Sequence, residues 1–326
     1  MARVFAGSPS RSLPTRYNSD FMPEYAIGVD LGGTNLRAAA IARNGETLAK
    51  ISGRAQFSQG RDTVVADMVA SIRTLRAQCG EHQLAGVGVG VAGFILMEKG
   101  IILESNNLPE FDNFEIRDHV EQLLGTSVVL ENDANAAALG ERWMGAGRGV
   151  DDLVLITLGT GIGGGIVSGG KVLRGYLGMA GELGHMTVVP NGIPCGCGNR
   201  GCLEKHASAL AITTMARMLQ LGDDLTAHQV YDLAIAGNEK ARRVFVAMGE
   251  ALGMGLANLI NIFNFPLYLL SGGVLAAWDL FTPAMFDEIK RRSFTFLNSE
   301  THIEKATLGD EAGLFGAAWL GGGGIW

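Results

Sequence analysis

Two apolar strands in this chain each run directly into a turn of glycine and threonine: YAIGVDL into GGT, ending at Thr34, and DLVLITL into GTG, ending at Gly161. Such a turn places backbone N–H groups, unshielded by side chains, at the carboxyl end of a strand. There they can approach a phosphate, with the hydroxyl of Thr34 or Thr160 as an extra donor. The first turn also carries a carboxylate, Asp30, at the strand end. Neither loop contains G-x4-G-K-[ST], and neither leads from strand into helix as a dinucleotide fingerprint does. A plain hairpin is the alternative for the first loop taken alone. Its repetition in the second half suits a polyphosphate clamped from two sides.

The rest of the chain supports an α/β reading. After YAIGVDL, the segments LRAAAIA and TLAKISG read as strands separated by an Asn44-Gly45 turn. From Arg61 to Cys79, Val64, Met68, Ile72 and Leu75 recur at the period of an amphipathic helix, and the strand LAGVGVGVA follows. A helix from about Phe114 to Leu124, the strand SVVLE and an alanine-rich helix opened by Asn132-Asp133 close the first half. The second half begins again with DLVLITL, and becomes mainly helical between residues 204 and 263. It finishes as strand PLYLLSGG, helix near 276–293, strand near 302–308 and helix 311–320. The 47 glycines read as tight turns and close ligand approach at strand ends.

Between these elements lies GELGHMTVVPNGIPCGCGNRGCLE, which gathers His185, Cys195, Cys197 and Cys202. Thiolates and imidazole are zinc ligands, and four protein ligands with no open position make a closed, structural site. The alternative is three buried thiols and an unrelated histidine.

At 326 residues the chain exceeds the roughly 100 to 200 residues of one domain, which predicts two domains and a cleft. A net charge of -7 argues against a surface that tracks nucleic-acid phosphates. The 4 cysteines suit a reducing compartment with one metal site, so the expectation is the cytoplasm. The longest apolar stretch, ANLINIFNFPLYLLSGGVLAA, is interrupted by three asparagines, a proline and glycines, so no membrane span is expected. Residues 1–23 lack a periodic apolar face and are expected to be a disordered extension.

Four strings in order, DLGGTNLR at 30–37, ENDANAAALGE at 131–141, LGTGIGGG at 158–165, and ELGH with CGCGNRGCLE between 182 and 204, resemble the sugar kinases of the ROK family, most of all its bacterial glucokinase branch. The likeness spans roughly residues 25 to 320. It implies the actin-like, ribonuclease H-like ATPase fold, two α/β domains around a cleft that closes on sugar. The expected boundaries are 24–131 plus 309–326 for a small domain, and 132–308 for a large domain with the zinc knuckle.

The resemblance implies ATP-dependent phosphorylation of a hexose, glucose first, with N-acetylglucosamine, mannose, fructose or allose as alternative acceptors. Asp133 takes the role of general base; a base must lie within hydrogen-bond reach of the hydroxyl it deprotonates, and a helix start holds it well. Helix capping by Asn132 or Asp133 is the competing explanation of that pair. Asp30 is the candidate to hold Mg²⁺ with the nucleotide, and Gly32, Gly33, Thr34, Gly159, Thr160, Gly161, Gly272 and Gly273 are the candidate nucleotide contacts. Asn107, Asn132, Asp133, Glu182, His185 and Glu204 are implied for the sugar, His185 also serving zinc through its other ring nitrogen. Two departures touch the sugar side: Ala92-Gly93 replaces Pro-Gly, and Glu110-Phe111 stands where a tryptophan often follows Asn-Leu-Pro. Relatives that repress transcription carry a helix-turn-helix region before the first loop, for which the residues preceding Tyr25 do not suffice, and polyphosphate users would show a basic track absent here. A homo-oligomer is expected.

Overall fold

A computed structural model describes residues 24–105, 108–324 and 326. The first half runs β1 (Glu24–Leu31), β2 (Asn35–Ala42), β3 (Thr47–Arg54), α1 (Arg61–Gln78), β4 (Gln83–Val91), a hairpin of β5 (Phe94–Leu96) and β6 (Ile101–Glu104), α2 (Ile116–Leu124), β7 (Val128–Asn132) and α3 (Asp133–Met144). The second half runs β8 (Leu153–Leu158), β9 (Ile162–Ser168), β10 (Lys171–Val172), α4 (Glu204–Ala207), α5 (Ala209–Met218), α6 (Ala227–Ile235), α7 (Glu239–Phe263), β11 (Leu267–Ser271), α8 (Trp278–Arg292), β12 (His302–Lys305) and α9 (Ala312–Gly321).

The two halves build the same sheet twice. One has the order β3-β2-β1-β4-β7 and the other β10-β9-β8-β11-β12. In each, an antiparallel meander supplies three strands and two parallel strands extend the far side. This duplicated sheet is the actin-like ATPase fold.

Strand alternation explains how the layers stack. In β4, Val87, Val89 and Val91 enter an apolar core with α1 and α2, while Gly86 and Gly88 face α9. A Cβ at Gly88 would stand 1.8 Å from the Ala317 carbonyl oxygen, and one at Gly28 of β1 would stand 2.0 Å from that of Leu314. Only glycine lets the helix backbone come so near. On the second sheet, Val154, Ile156 and Leu158 of β8 point to a core shared with α5–α8, whereas Leu153 and Leu155 point inward. Helices α3 and α9 therefore lie between the sheets in a core of their own with Leu139, Trp143, Leu314 and Phe315.

These contacts correct the reading of the glycines as strand-end turns. Gly163, Gly164 and Gly165 lie inside β9, where added Cβ atoms would strike Thr157 and Ala134, Leu183, and the Ala134 carbonyl respectively. They make room for α3 and the segment after β10. Likewise Gly249 and Gly253 let α8 cross α7 closely. Helix α7 is long and apolar enough to cross a membrane by length and composition, but most of its apolar stretch is buried inside the protein, with Val244, Met248, Leu252 and Leu256 in the core. The expected extension at residues 1–23 lies outside the described residues.

Candidate active site between the two sheets

Where β7 ends and α3 begins, the Asn132 side chain accepts from the backbone N–H groups of Ala134 (2.9 Å) and Asn135 (3.2 Å). Asn132 is thus the N-cap, which leaves Asp133 as the first helical residue. Asp133 faces a cavity of about 470 Å³ between the sheets, together with Asp30 from the end of β1. Burial raises the Asp133 carboxyl above the ordinary carboxylate range, against hydrogen bonds from the Ala134 and Asp133 N–H groups and from Asn132. Burial, then the nearby charge of Asp133, raises Asp30 to about 6, with Arg37 opposing and Asp310 adding to the rise. Asp30, Asp133, Asp310, Glu182 and Glu204 thus share one partly enclosed space, and Arg37 is the one cationic side chain among the described residues that line it. That shortage of positive charge fits a divalent cation escorting phosphate.

The opposite wall comes from the second half. Glu182 and Glu204 line the same cavity. Glu204 accepts from the Ile162 N–H at 3.2 Å, and a Cβ on Gly161 would lie 2.4 Å from its carboxylate oxygen. Gly161 therefore makes room for Glu204 as well as for any phosphate. Gly159 and Gly272 line the cavity too, and Gly272 (φ +101°) is held where a Cβ would meet the Leu158 carbonyl at 2.4 Å. Beyond them opens a second cavity of about 230 Å³, lined by Thr160, Ile212, Tyr231, Phe245, Gly273 and Val274 among others. A Cβ on Gly273 would meet nothing within 4 Å, so packing does not require that glycine.

Gly32, Gly33 and Thr34 form the β1–β2 hairpin turn, outside the lining of either cavity. Asn107 lies outside the described residues. His185 is not in the lining either, but sits one 3-10 turn from Glu182, its Nε2 3.8 Å from the Glu182 carboxylate. Its Nδ1 turns the other way, 3.6 Å from Cys195 Sγ.

Ligand atoms of His185, Cys195, Cys197 and Cys202 all lie within 4.8 Å of one another. Tetrahedral zinc with Zn–S near 2.3 Å and Zn–N near 2.05 Å requires S···S of about 3.8 Å and S···N of about 3.6 Å. The Cys197–Cys202 sulfurs are 3.7 Å apart, and the His185–Cys195 pair is at 3.6 Å. The four residues fit zinc. Asn199 donates to Thr187 at 2.8 Å and to Cys202 Sγ at 3.5 Å, bracing the knuckle.

Two contributors escaped the sequence reading. Glu131, buried beneath Asn132, accepts from Arg174 Nε (2.8 Å) and Nη2 (2.7 Å), from the Asn132 N–H (3.0 Å) and from Asn135 (3.1 Å). It ties the Asp133 junction to the segment that carries Gly181 and Glu182. Arg37 donates to the Asp310 carbonyl at 3.0 Å, joining β2 to the turn before α9 at the cavity rim. Glu131 and Arg37 stand within recognised strings, but Arg174 and Asp310 carry no local signal.

A duplicated sheet with paired acidic residues at its central cleft, beside glycine-rich strand turns, defines an actin-like phosphotransferase architecture. The chain belongs to the ROK family, whose profile matches residues 26–322. A glucokinase of Halalkalibacterium halodurans is 36% identical over 90% of this chain and 94% of its own length. The solved structure of a ROK hexokinase from Thermus thermophilus superposes with a TM-score of 0.82 at 35% identity, covering 90% of this chain and 96% of that one. A ROK family glucokinase from Streptomyces griseus, solved with glucose and AMPPNP, gives a TM-score of 0.73 at 34% identity, covering 91% and 99% respectively.

Proposed function

We propose that this chain is an ATP-dependent hexose kinase that converts glucose to glucose 6-phosphate. The observation that carries the reading is the single cavity in which Asp30, Asn132, Asp133, Glu182 and Glu204 converge between the sheets. A pyranose presents vicinal hydroxyls that each donate and accept, and the carboxylates of Glu182 and Glu204 with the Asn132 amide answer both needs. His185 Nε2, on the Glu182 side of its ring, completes that edge, while Nδ1 serves the zinc held with Cys195, Cys197 and Cys202. Asn107 belongs to the same proposed set.

Asp133 takes the proton of the C6 hydroxyl as its oxygen attacks the γ-phosphorus. The bond to the bridging oxygen breaks, and ADP leaves with the electron pair. Raised by burial, the Asp133 carboxyl is a stronger base than an exposed aspartate. Asp30 is the residue to hold Mg²⁺, which supplies charge neutralisation on the transferring phosphoryl group. Gly159, Thr160 and Gly161 offer the phosphate-side contacts, and Gly32, Gly33 and Thr34, in the β1–β2 turn outside both cavity linings, would reach the phosphates only as the cleft closes. The smaller apolar cavity beyond Thr160, bordered by Gly272 and Gly273, accepts the nucleoside, which favours ATP over polyphosphate as donor.

The proposed small domain comprises 24–131 and 309–326, and the large domain 132–308. We place the enzyme in the cytoplasm as a homo-oligomer, which light scattering after gel filtration tests. Coupled ADP release with ATP and Mg²⁺ against glucose, N-acetylglucosamine, mannose, fructose and allose tests the function. Glucose preference, abolished in Asp133→Ala, supports it. A tenfold preference for another sugar replaces the acceptor, and no turnover on any sugar sinks the kinase reading.

A further inference from the structure

Glu141, near the end of α3, is fully buried, yet the catalytic reading gives it no task. Its Oε2 accepts from the N–H of Ala146 (2.9 Å), the N–H of Thr307 (3.1 Å) and the Thr307 hydroxyl (3.4 Å), and its Oε1 accepts from the N–H of Leu308 (2.7 Å). Its backbone carbonyl also accepts from Gly145 and Gly147. A Cβ on Gly145 would stand 2.0 Å from Oε2, so the chain keeps a glycine there to leave the carboxylate its place.

These donors belong to two separate passages of the chain. From the first sheet to the second it passes through α3 and residues 145–152, and it returns through residues 306–311 into α9. Ala146 lies in the outward passage, Thr307 and Leu308 in the return. The return passage continues into Gly309, Asp310 and Gly313, which line the large cavity, and α3 begins with Asp133. A carboxylate suits the junction because both oxygens accept and every partner donates. The amide of glutamine would turn a donor toward other donors and leave buried N–H groups unpaired.

We infer that Glu141 is a positioning residue at the pivot between the two sheets. It fastens both interlobe passages to one point, so that when the cleft shuts, Asp133 and the Asp30–Asp310 edge meet in a fixed relation. This rests on the reading of the cleft as the place where sugar and nucleotide meet. The variant Glu141→Gln, checked for folding by circular dichroism and cooperative unfolding, is expected to bind glucose within threefold of the wild type. Its kcat per folded molecule falls at least tenfold, and its glucose-induced compaction in small-angle scattering shrinks. A folded variant with wild-type kcat and compaction overturns the inference. Should Glu141→Gln not fold, hydrogen exchange on the wild type decides. The Ala146, Thr307 and Leu308 amides are expected to be strongly protected with and without glucose, while exchange at Gly309 and Asp310 changes. Fast exchange at the three amides, or protection there that appears only with glucose, overturns it. Absence of wild-type turnover on every hexose tells instead against the kinase reading.

Discussion

Gly316→Ala probes how the inner helices hold the carboxylates. A Cβ at Gly316 of α9 would lie 1.7 Å from the Ala136 carbonyl oxygen, 2.5 Å from its carbon and 2.9 Å from the Gly140 nitrogen of α3. Reciprocally, a Cβ at Gly140 would lie 2.0 Å from the Ala312 carbonyl oxygen. Relief to ordinary contact requires the helices to part by about 1.5 Å, because carbon and oxygen pack at roughly 3.2 to 3.5 Å. Alanine favours the helix by about 1 kcal/mol over glycine, whereas overpacking a buried contact costs about 1 to 3 kcal/mol. The obstacle here is backbone, and both helices are confined between sheets, so the cost lies at the upper end and the net loss is about 1 to 2 kcal/mol. Activity suffers more. Asp133 begins α3, and a Cβ on Gly313 of α9 would lie 3.6 Å from Asp30 Cγ, so parting the helices separates the two carboxylates. Misplacement of reacting groups by about 1 Å costs on the order of 100-fold. Thermal unfolding and turnover at saturating ATP and glucose are measured beside Gly53→Ala, a strand position where a Cβ meets nothing within 4 Å. Gly316→Ala should lose a few degrees of Tm and roughly 10- to 100-fold in kcat, while Gly53→Ala stays near the wild type. Unchanged stability in Gly316→Ala would refute the close crossing, and lost stability with unchanged kcat would refute its role in positioning.

The same glycines show where sequence reading stops. Element types were legible because their signals are local: Val64, Met68, Ile72 and Leu75 mark one helix face, and all four are buried in α1. The knuckle was legible because ligand chemistry is written in adjacent residues, and the four ligands do converge. In QLAGVGVGV, the valines announced a strand, but nothing in that string says that α9, some 230 residues on by chain numbering, lies on the glycine face. The Glu131–Arg174 pair is equally non-local, since it depends on a segment after β10 returning beneath Asn132. Capping at Asn132-Asp133 had two local solutions. The backbone chose Asn132, and that choice is what leaves Asp133 turned to the cavity.

Three further outcomes are expected. Asp133→Asn should lower kcat by about 10²- to 10⁴-fold with glucose affinity largely retained, and the acid limb of the wild-type kcat/KM profile should lie above the ordinary aspartate range. Metal analysis should find one zinc per chain, and Cys202→Ser should lose it, with a lower Tm and a glucose KM raised about tenfold or more as the Glu182 and Glu204 segments loosen. Asp30→Asn should separate stability from activity. Asp30 rises from 3.8 to about 6 on folding, so between those values the native chain holds more protons than the unfolded chain, and stability falls as pH rises through that window. The penalty reaches at most about 3 kcal/mol above pH 6. Metal-free Asp30→Asn should therefore be more stable than the wild type at pH 7.5, match it near pH 4, and, on the proposal that Asp30 would hold Mg²⁺, turn over poorly. A variant less stable than the wild type at pH 7.5 would mean that burial does not strain this carboxylate.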